Sequence, residues 1–328
     1  MTREVPIAAA VPTPTQFRVG IVGAGRTRQG LGPYLASAFE AAGGVVTAVA
    51  GRDRASGERA AAALAARLQH PVATFADAFE LARAVDVLVV AAPVPGHLAG
   101  LDAALAAGVP CLCEKPMVAA ADLELGLQRI AAFQARSLLL AENCQWPFVL
   151  PTVFHLFPAI AGQPLRTVAM GLSPAWPGRA MVADSLSHVL SVVQALAALP
   201  ANALPTKVTQ TARGPEAERN DVAFTLPGPA GPIAVSLHLQ VCKEPPRPAW
   251  LAVNGHRLDR RLGHDYTQSF AAADGRTMKV RDPLHQLVYR FAAHLPPENR
   301  ERTHATAAVL ALRLRLYAAV LAALDQSA

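Results

Sequence analysis

A chain of 328 residues is long enough for two domains of ordinary size, and with 52% hydrophobic and 16% charged residues it is not a disordered chain but suits a well-buried enzyme. The net charge of +6 comes mainly from scattered arginines with no basic run interleaved with aromatics, so nucleic-acid binding is not expected, although the positive balance favours an anionic cofactor. Cys111 and Cys113 share one face of a short strand, Cys144 and Cys242 stand alone, and no Cys/His spacing fits a metal site; a reducing cytoplasm without a bound metal is the expected setting.

Residues 1–16, rich in Thr, Pro and Ala, read as a disordered tail, and Arg3 and Glu4 precede too short an apolar patch for a signal peptide. Phe17 to Gly23 is a short apolar strand, and Gly23, Gly25 and Gly30 follow it. The first two glycines have the spacing of a dinucleotide loop, with a tight turn and then bare backbone for a pyrophosphate. The third glycine comes late, so the loop is widened, and it carries Arg26 and Arg28 within reach of a phosphate. Alone, such a cluster is equally well plain turn punctuation. The helix from Pro33 to Ala42 and the strand from Val45 to Ala50 complete a βαβ unit and favour the dinucleotide site, with the anion at the helix amino end.

The end of that second strand selects the cofactor, an acid holding the ribose of NAD and an arginine accommodating the phosphate of NADP. Here it reads Gly51-Arg52-Asp53-Arg54, with Asp53 placed to start the next helix, so NADP(H) is favoured over NAD(H). The alternative is that Arg52 and Arg54 are ordinary solvent-facing charges. Helices over Ser56–Leu68 and Ala76–Ala84 and a strand over Val72–Phe75 lead to Asp86-Val-Leu-Val-Val-Ala-Ala-Pro93, a strand buried on both faces. The helix from His97 to Ala107, capped by Gly108, precedes a strand that runs from Val109 into Glu114-Lys115-Pro116. This puts a lysine at the carboxyl end of a buried parallel strand, where open α/β sheets bind ligands. A helix over Ala120–Arg136 and a strand over Leu138–Asn143 complete a right-handed, parallel half.

Beyond Asn143 prolines are frequent and strands succeed one another, at 165–171, 207–212, 222–226, 233–241, 250–253, around 266–271 and at 277–280. Turns at Gly228–Pro232 and Asp274-Gly275 make this a mostly antiparallel sheet on helices. Closing helices run over Leu284–His294 and Ala305–Asp325; Arg313 and Arg315 interrupt the latter, so it is amphipathic and no membrane span is expected. In the helix from Val182 to Leu196, Asp184 and His188 lie four apart and so on one face. On spacing alone, a helix-start cap with an exposed histidine explains that pair better than catalysis does. Trp146, Phe148 and Trp176 supply either a stacking wall for a substrate or plain core.

Glu114-Lys115-Pro116, preceded by Pro93-x-x-x-His97 and Ala104-Leu-x-x-Gly108, resembles the Gfo/Idh/MocA family of nicotinamide-dependent oxidoreductases. The resemblance implies a Rossmann dinucleotide-binding domain over 17–143 and an α+β domain with an open, mostly antiparallel sheet over 144–328, which binds substrate and pairs into a homodimer or homotetramer. It implies that Lys115, Asp184 and His188 are catalytic: His188 as acid/base, Asp184 holding the protonated histidine or a substrate hydroxyl, and Lys115, its pKa lowered by burial, polarising the substrate oxygen. Gly23, Gly25, Arg26, Gly30, Gly51, Arg52, Pro93, His97, Glu114 and Lys115 are then the cofactor-binding set, and Lys115, Trp146, Trp176, Asp184 and His188 face the small-molecule substrate. The chain departs from the family at Cys144-Gln145-Trp146-Pro147 and at Arg179 to Asp184, positions that shape the pocket. The expected reaction moves hydride between nicotinamide and a hydroxyl or ketone carbon of a sugar or another cyclic polar metabolite. Reduction of an imine or conjugated double bond and a non-catalytic dinucleotide sensor are the alternatives.

Overall fold

The computed structural model describes residues 16–25, 30–212, 214–244, 246–263, 267–296 and 301–326, the side chains of 301–305 excepted. The tail over 1–15 and Arg26 and Arg28 in the glycine loop lie outside them. Apolar runs fix the first sheet. β1 (Phe17–Val22), β2 (Gly44–Ala50), β3 (Ala73–Phe75), β4 (Val87–Val90), β5 (Cys111–Cys113) and β6 (Leu140–Glu142) are all parallel, in the order β3-β2-β1-β4-β5-β6. Strand order reverses between β1 and β4, and the crevice there is where a doubly wound sheet takes its ligand. Helices α1 (Gly32–Ala41), α2 (Arg54–Leu68), α3 (Ala78–Arg83), α4 (His97–Ala107) and α5 (Leu123–Ala135) connect the strands. Asp53 caps α2 as expected: its Oδ1 accepts from the Ser56 amide at 2.7 Å, and the Ser56 hydroxyl accepts from the Asp53 amide at 3.1 Å.

After β6 come a turn and a short helix, α6 (Leu150–Leu156), then β7 (Thr167–Leu172) and the long α7 (Gly178–Leu196). Strands β8 (Thr206–Gln210), β9 (Arg219–Gly228), β10 (Gly231–Gln240), β11 (Trp250–Val253), β12 (His256–Leu262), β13 (Gln268–Ala272) and β14 (Thr277–Val280) join β7 in an eight-stranded sheet, ordered β14-β13-β12-β11-β7-β10-β9-β8. Only β7 and β10 run parallel, so the sheet is mostly antiparallel, as expected.

Three differences from the sequence-based expectations have physical causes. β12 reads His-Arg-Leu-Asp-Arg-Arg-Leu, too charged to show a hydrophobic alternation, and forms because Asn254 and Gly255, both at positive φ, turn it back on β11. Prolines at 147 and 151 hide α6, yet both sit in first turns, where a missing amide costs little. Helix α7 begins at Gly178 and not at Val182, so Asp184 lies inside it and is not a helix-start cap.

The last helices, α8 (Pro283–Ala292) and α9 (Glu301–Gln326), return to the first half of the molecule. Leu284, Leu287, Val288 and Phe291 of α8 pack with Phe39 of α1, the Phe39 and Phe291 rings meeting edge to face at 5.9 Å. Helix α9 lies on α5, β6 and α7. It is the one described helix long and apolar enough to cross a membrane, and 56% of its apolar window is buried in the protein.

Candidate active site

A cleft of about 1630 Å³ runs from the carboxyl ends of β1, β2 and β4, past the loop after β5, to the inner face of the second sheet. Its first half is built by close backbone approach. Gly23 has φ +81°, and a Cβ there would lie 2.5 Å from the Ala92 amide nitrogen, so the ends of β1 and β4 meet as only glycine allows. Gly25 has nothing within 4 Å of its would-be Cβ and leaves bare backbone facing the cleft. Among the described residues no side chain caps the amino end of α1. This cradle fits a dinucleotide pyrophosphate.

Gly23, Gly25, Gly30, Gly51, Arg52, Pro93, Glu114 and Lys115 all line the cleft. At Gly51, where the family's acid is expected, a Cβ would lie 2.4 Å from the Gly57 amide, so the start of α2 packs too close to β2 for any side chain. Arg52 is 90% exposed and, among the described residues, hydrogen-bonds Asp53 at 3.3 Å, which leaves its guanidinium accessible to a ligand. Ser56 and Arg59 line the same end and were not singled out in the sequence, since one helical turn brings them beside Arg52 only once α2 is placed. His97 also lines the cleft, at its base. It is 1% exposed, with Nε2 at 2.7 Å from the Ala92 carbonyl and Nδ1 at 3.0 Å from the Pro116 carbonyl, so both ring nitrogens tie the β4 loop to the Glu-Lys-Pro loop.

Lys115, Asp184 and His188, separated by up to 73 positions, meet where the two halves join. The Lys115 ammonium donates to Asp184 Oδ1 at 2.6 Å and to the Asp184 carbonyl at 2.9 Å. Its peptide bond to Pro116 is cis. Burial works to lower the lysine pKa, but the carboxylates of Asp184 and Glu114 outweigh it and the net shift is upward, contrary to the lowered value expected. Lys115 is therefore a fixed ammonium. Glu114 is pushed up by burial, partly offset by Lys115 and by Asn143, whose Nδ2 donates to Glu114 Oε1 at 2.5 Å.

His188 moves the other way: burial, then the charges of Lys115, Arg260 and Arg313, hold it well below its ordinary value of 6.5. Its Nδ1 is sealed from solvent with no partner among the described residues, so Nε2 is the ring nitrogen left for the cleft, as a neutral proton acceptor. Asp184 does not hold this histidine; its carboxylate is engaged by the lysine. Trp146 and Trp176 both line the cleft, Trp146 nearly buried and edge to face with Phe270 at 6.2 Å, Trp176 49% exposed. Sequence reasoning missed Asn143, Arg247 and Arg260, which also line the cleft.

A nucleotide cradle leading to a lysine, an aspartate and a histidine defines a nicotinamide-dependent oxidoreductase. Residues 17–142 match the Gfo/Idh/MocA family model, described as an oxidoreductase family with an NAD-binding Rossmann fold. Similar solved structures span both halves. UDP-N-acetylglucosamine 3-dehydrogenase from Acidithiobacillus ferrooxidans is 25% identical with a TM-score of 0.64, covering 94% of this chain and 99% of its own. An inositol dehydrogenase homologue from Azotobacter vinelandii, complexed with NAD+, is 14% identical with a TM-score of 0.65 and 98% of each chain covered. A 3-ketoreductase from Actinomadura kijaniata, in complex with NADP, is 18% identical with a TM-score of 0.64, covering 95% of this chain and 98% of its own. The last two share the fold. No curated protein sequence matches the chain.

Proposed function

We propose that the protein is an NADP(H)-dependent oxidoreductase that moves hydride between nicotinamide and a hydroxyl or ketone carbon of a sugar-like metabolite. The observation that carries this reading is the Lys115 ammonium, 2.6 Å from Asp184, in one cleft with the neutral His188 and the glycine cradle. The nicotinamide, when bound, supplies or accepts the hydride. His188 Nε2 takes the proton of the substrate hydroxyl as the carbinol is oxidised, and returns it in the reverse direction. Lys115 donates to the same oxygen and stabilises negative charge developing on it, while Asp184 and Glu114 keep the lysine charged and fix its direction. Asn143 and the buried His97 hold Glu114 and the loop that bears the lysine. Accessible Arg52 with Ser56 and Arg59, and a strand end closed to an acid at Gly51, support NADP(H) over NAD(H). The A. ferrooxidans dehydrogenase acts on a nucleotide sugar, which supports a sugar-like substrate. Four free thiols, Cys111, Cys113 and Cys144 of them buried, suit a reducing cytoplasm.

The test is a titration with NADPH and NADH followed by nicotinamide fluorescence, then turnover on sugars and ketones. An arginine–phosphate contact of about 1.5–3 kcal/mol predicts a roughly ten- to hundredfold preference for NADPH, largely lost in Arg52→Ala. Lys115→Ala should lose turnover by about 10²–10⁴-fold at saturating dinucleotide. Full turnover in that variant would refute a catalytic role for Lys115.

A further inference from the structure

The substrate end of the cleft holds more positive charge than hydride transfer from a neutral sugar requires. Along β12, Leu258, Arg260 and Leu262 take the inward-facing positions, so a guanidinium occupies a place where the sheet otherwise buries leucine. Its Nη2 donates to the Arg247 carbonyl at 3.0 Å, its Nε is sealed with no partner, and Nη1 is left as the donor open to the cleft. Its guanidinium carbon lies 6.0 Å from the Trp146 ring centroid.

No carboxylate among the described residues comes within ion-pair distance of Arg260. Asp282, the acid whose field it feels, spends Oδ1 on Gln268 Nε2 at 3.1 Å and on the Leu284 amide at 2.9 Å. Arg247, lining the same end, has no acidic partner among the described residues either. A desolvated guanidinium without a counter-ion is costly, and burial holds the Arg260 pKa below its usual value. Trp146 and one carbonyl compensate it only in part. An incoming oxyanion would complete the charge balance with charge-assisted hydrogen bonds.

We propose that Arg260, with Arg247 beside it, anchors an oxyanion of the substrate, so that the molecule oxidised or reduced is a sugar acid or sugar phosphate and not a neutral polyol. The proposal rests on the division of the cleft into a cofactor half and a substrate half. An anion there holds the reacting hydroxyl against Lys115 and His188 from the side opposite the cradle, and Arg260 sets specificity without itself moving a proton.

The experiment is calorimetric titration of the full chain with gluconate, glucose 6-phosphate and neutral glucitol, with and without saturating NADP+. At least one anion should bind tenfold or more tightly than glucitol, and which one does identifies a carboxylate or a phosphate site. Arg260→Gln should abolish that margin while leaving glucitol and dinucleotide binding unchanged. Arg260→Lys, which keeps the charge, should restore part of it, a result that a purely structural role on Trp146 would not give. Glucitol binding as tightly as both anions, or Arg260→Gln weakening all three ligands alike, would overturn the proposal. An anion margin that survives while no dinucleotide binds would sink the cofactor reading and leave the Arg260 site standing.

Discussion

His188 and Lys115 are shifted in opposite directions by the same neighbourhood, and the shifts divide the chemistry between them. Burial and three nearby cations keep His188 uncharged below the range where an exposed imidazole would titrate. A base must be neutral to accept a proton, so the oxidation rate should stay flat as pH falls through 6.5 and decline only in more acid solution. Lys115 is raised from 10.5, so its ammonium persists at alkaline pH and adds no falling limb below that value. A kcat/KM profile for oxidation with an acid limb at ordinary histidine values would contradict this assignment. Gly51 gives a second prediction. Gly51→Asp would place a Cβ 2.4 Å from the Gly57 amide and 2.5 Å from the Ser56 hydroxyl, forcing α2 away from β2. Although the aspartate copies the acid that selects NAD, thermal unfolding should fall by several degrees with no gain in NADH affinity. Tighter NADH binding at unchanged melting temperature would show that the strand end accommodates an acid.

Between elements, one buried ion pair ties the halves together. Glu142 at the end of β6 accepts from Arg313 Nη1 of α9 at 3.0 Å, from the Met117 amide at 3.0 Å and from the Ser187 hydroxyl of α7 at 3.2 Å. Both side chains are nearly sealed, so removing one partner strands the other charge in the interior. Glu142→Gln should cost about 3–5 kcal/mol in denaturant unfolding, and adding Arg313→Gln should recover part of that loss. A single variant as stable as the wild type would mean that water reaches the pair. This contact also marks what the sequence does and does not disclose. Strands such as Val87–Val90 are legible because unbroken apolar runs report burial on both faces, and Glu114-Lys115-Pro116 is legible because its residues are contiguous. Arg313 looks like no more than an interruption in an apolar helix, since its partner lies 171 positions away. Arg260 is hidden for a related reason: the charge that gives it interest also disguises β12 as a loop. Sequence patterns report burial by apolar residues and cannot register a charge buried on purpose.

At the scale of the whole molecule, the helices cover one face of the eight-stranded sheet, with α7 on β7, β9 and β10, α9 on β8 and α6 on β14. On the other face Thr167, Ala234 and Thr225 stand in register across β7, β10 and β9 at the start of β7, with the His238–Asp221 and Arg257–Asp259 pairs on the same face and Trp250 beneath Arg257 at 4.2 Å. Small side chains let a second sheet approach closely, and the charges beside them are already paired within the chain, so covering this face strands few polar groups. A homodimer or homotetramer formed through it is therefore the expected assembly. Ala234 is exposed on this face, and where a twofold axis passes close to it the same position in two copies would come together. Ala234→Glu would then set two carboxylates against each other without touching the cleft. Light scattering at micromolar concentration should give at least twice the mass of one 328-residue chain for the wild type and the mass of one chain for the variant, with turnover retained. A wild type that scatters as a single chain would refute association through this face, and a variant that stays dimeric would move the interface elsewhere.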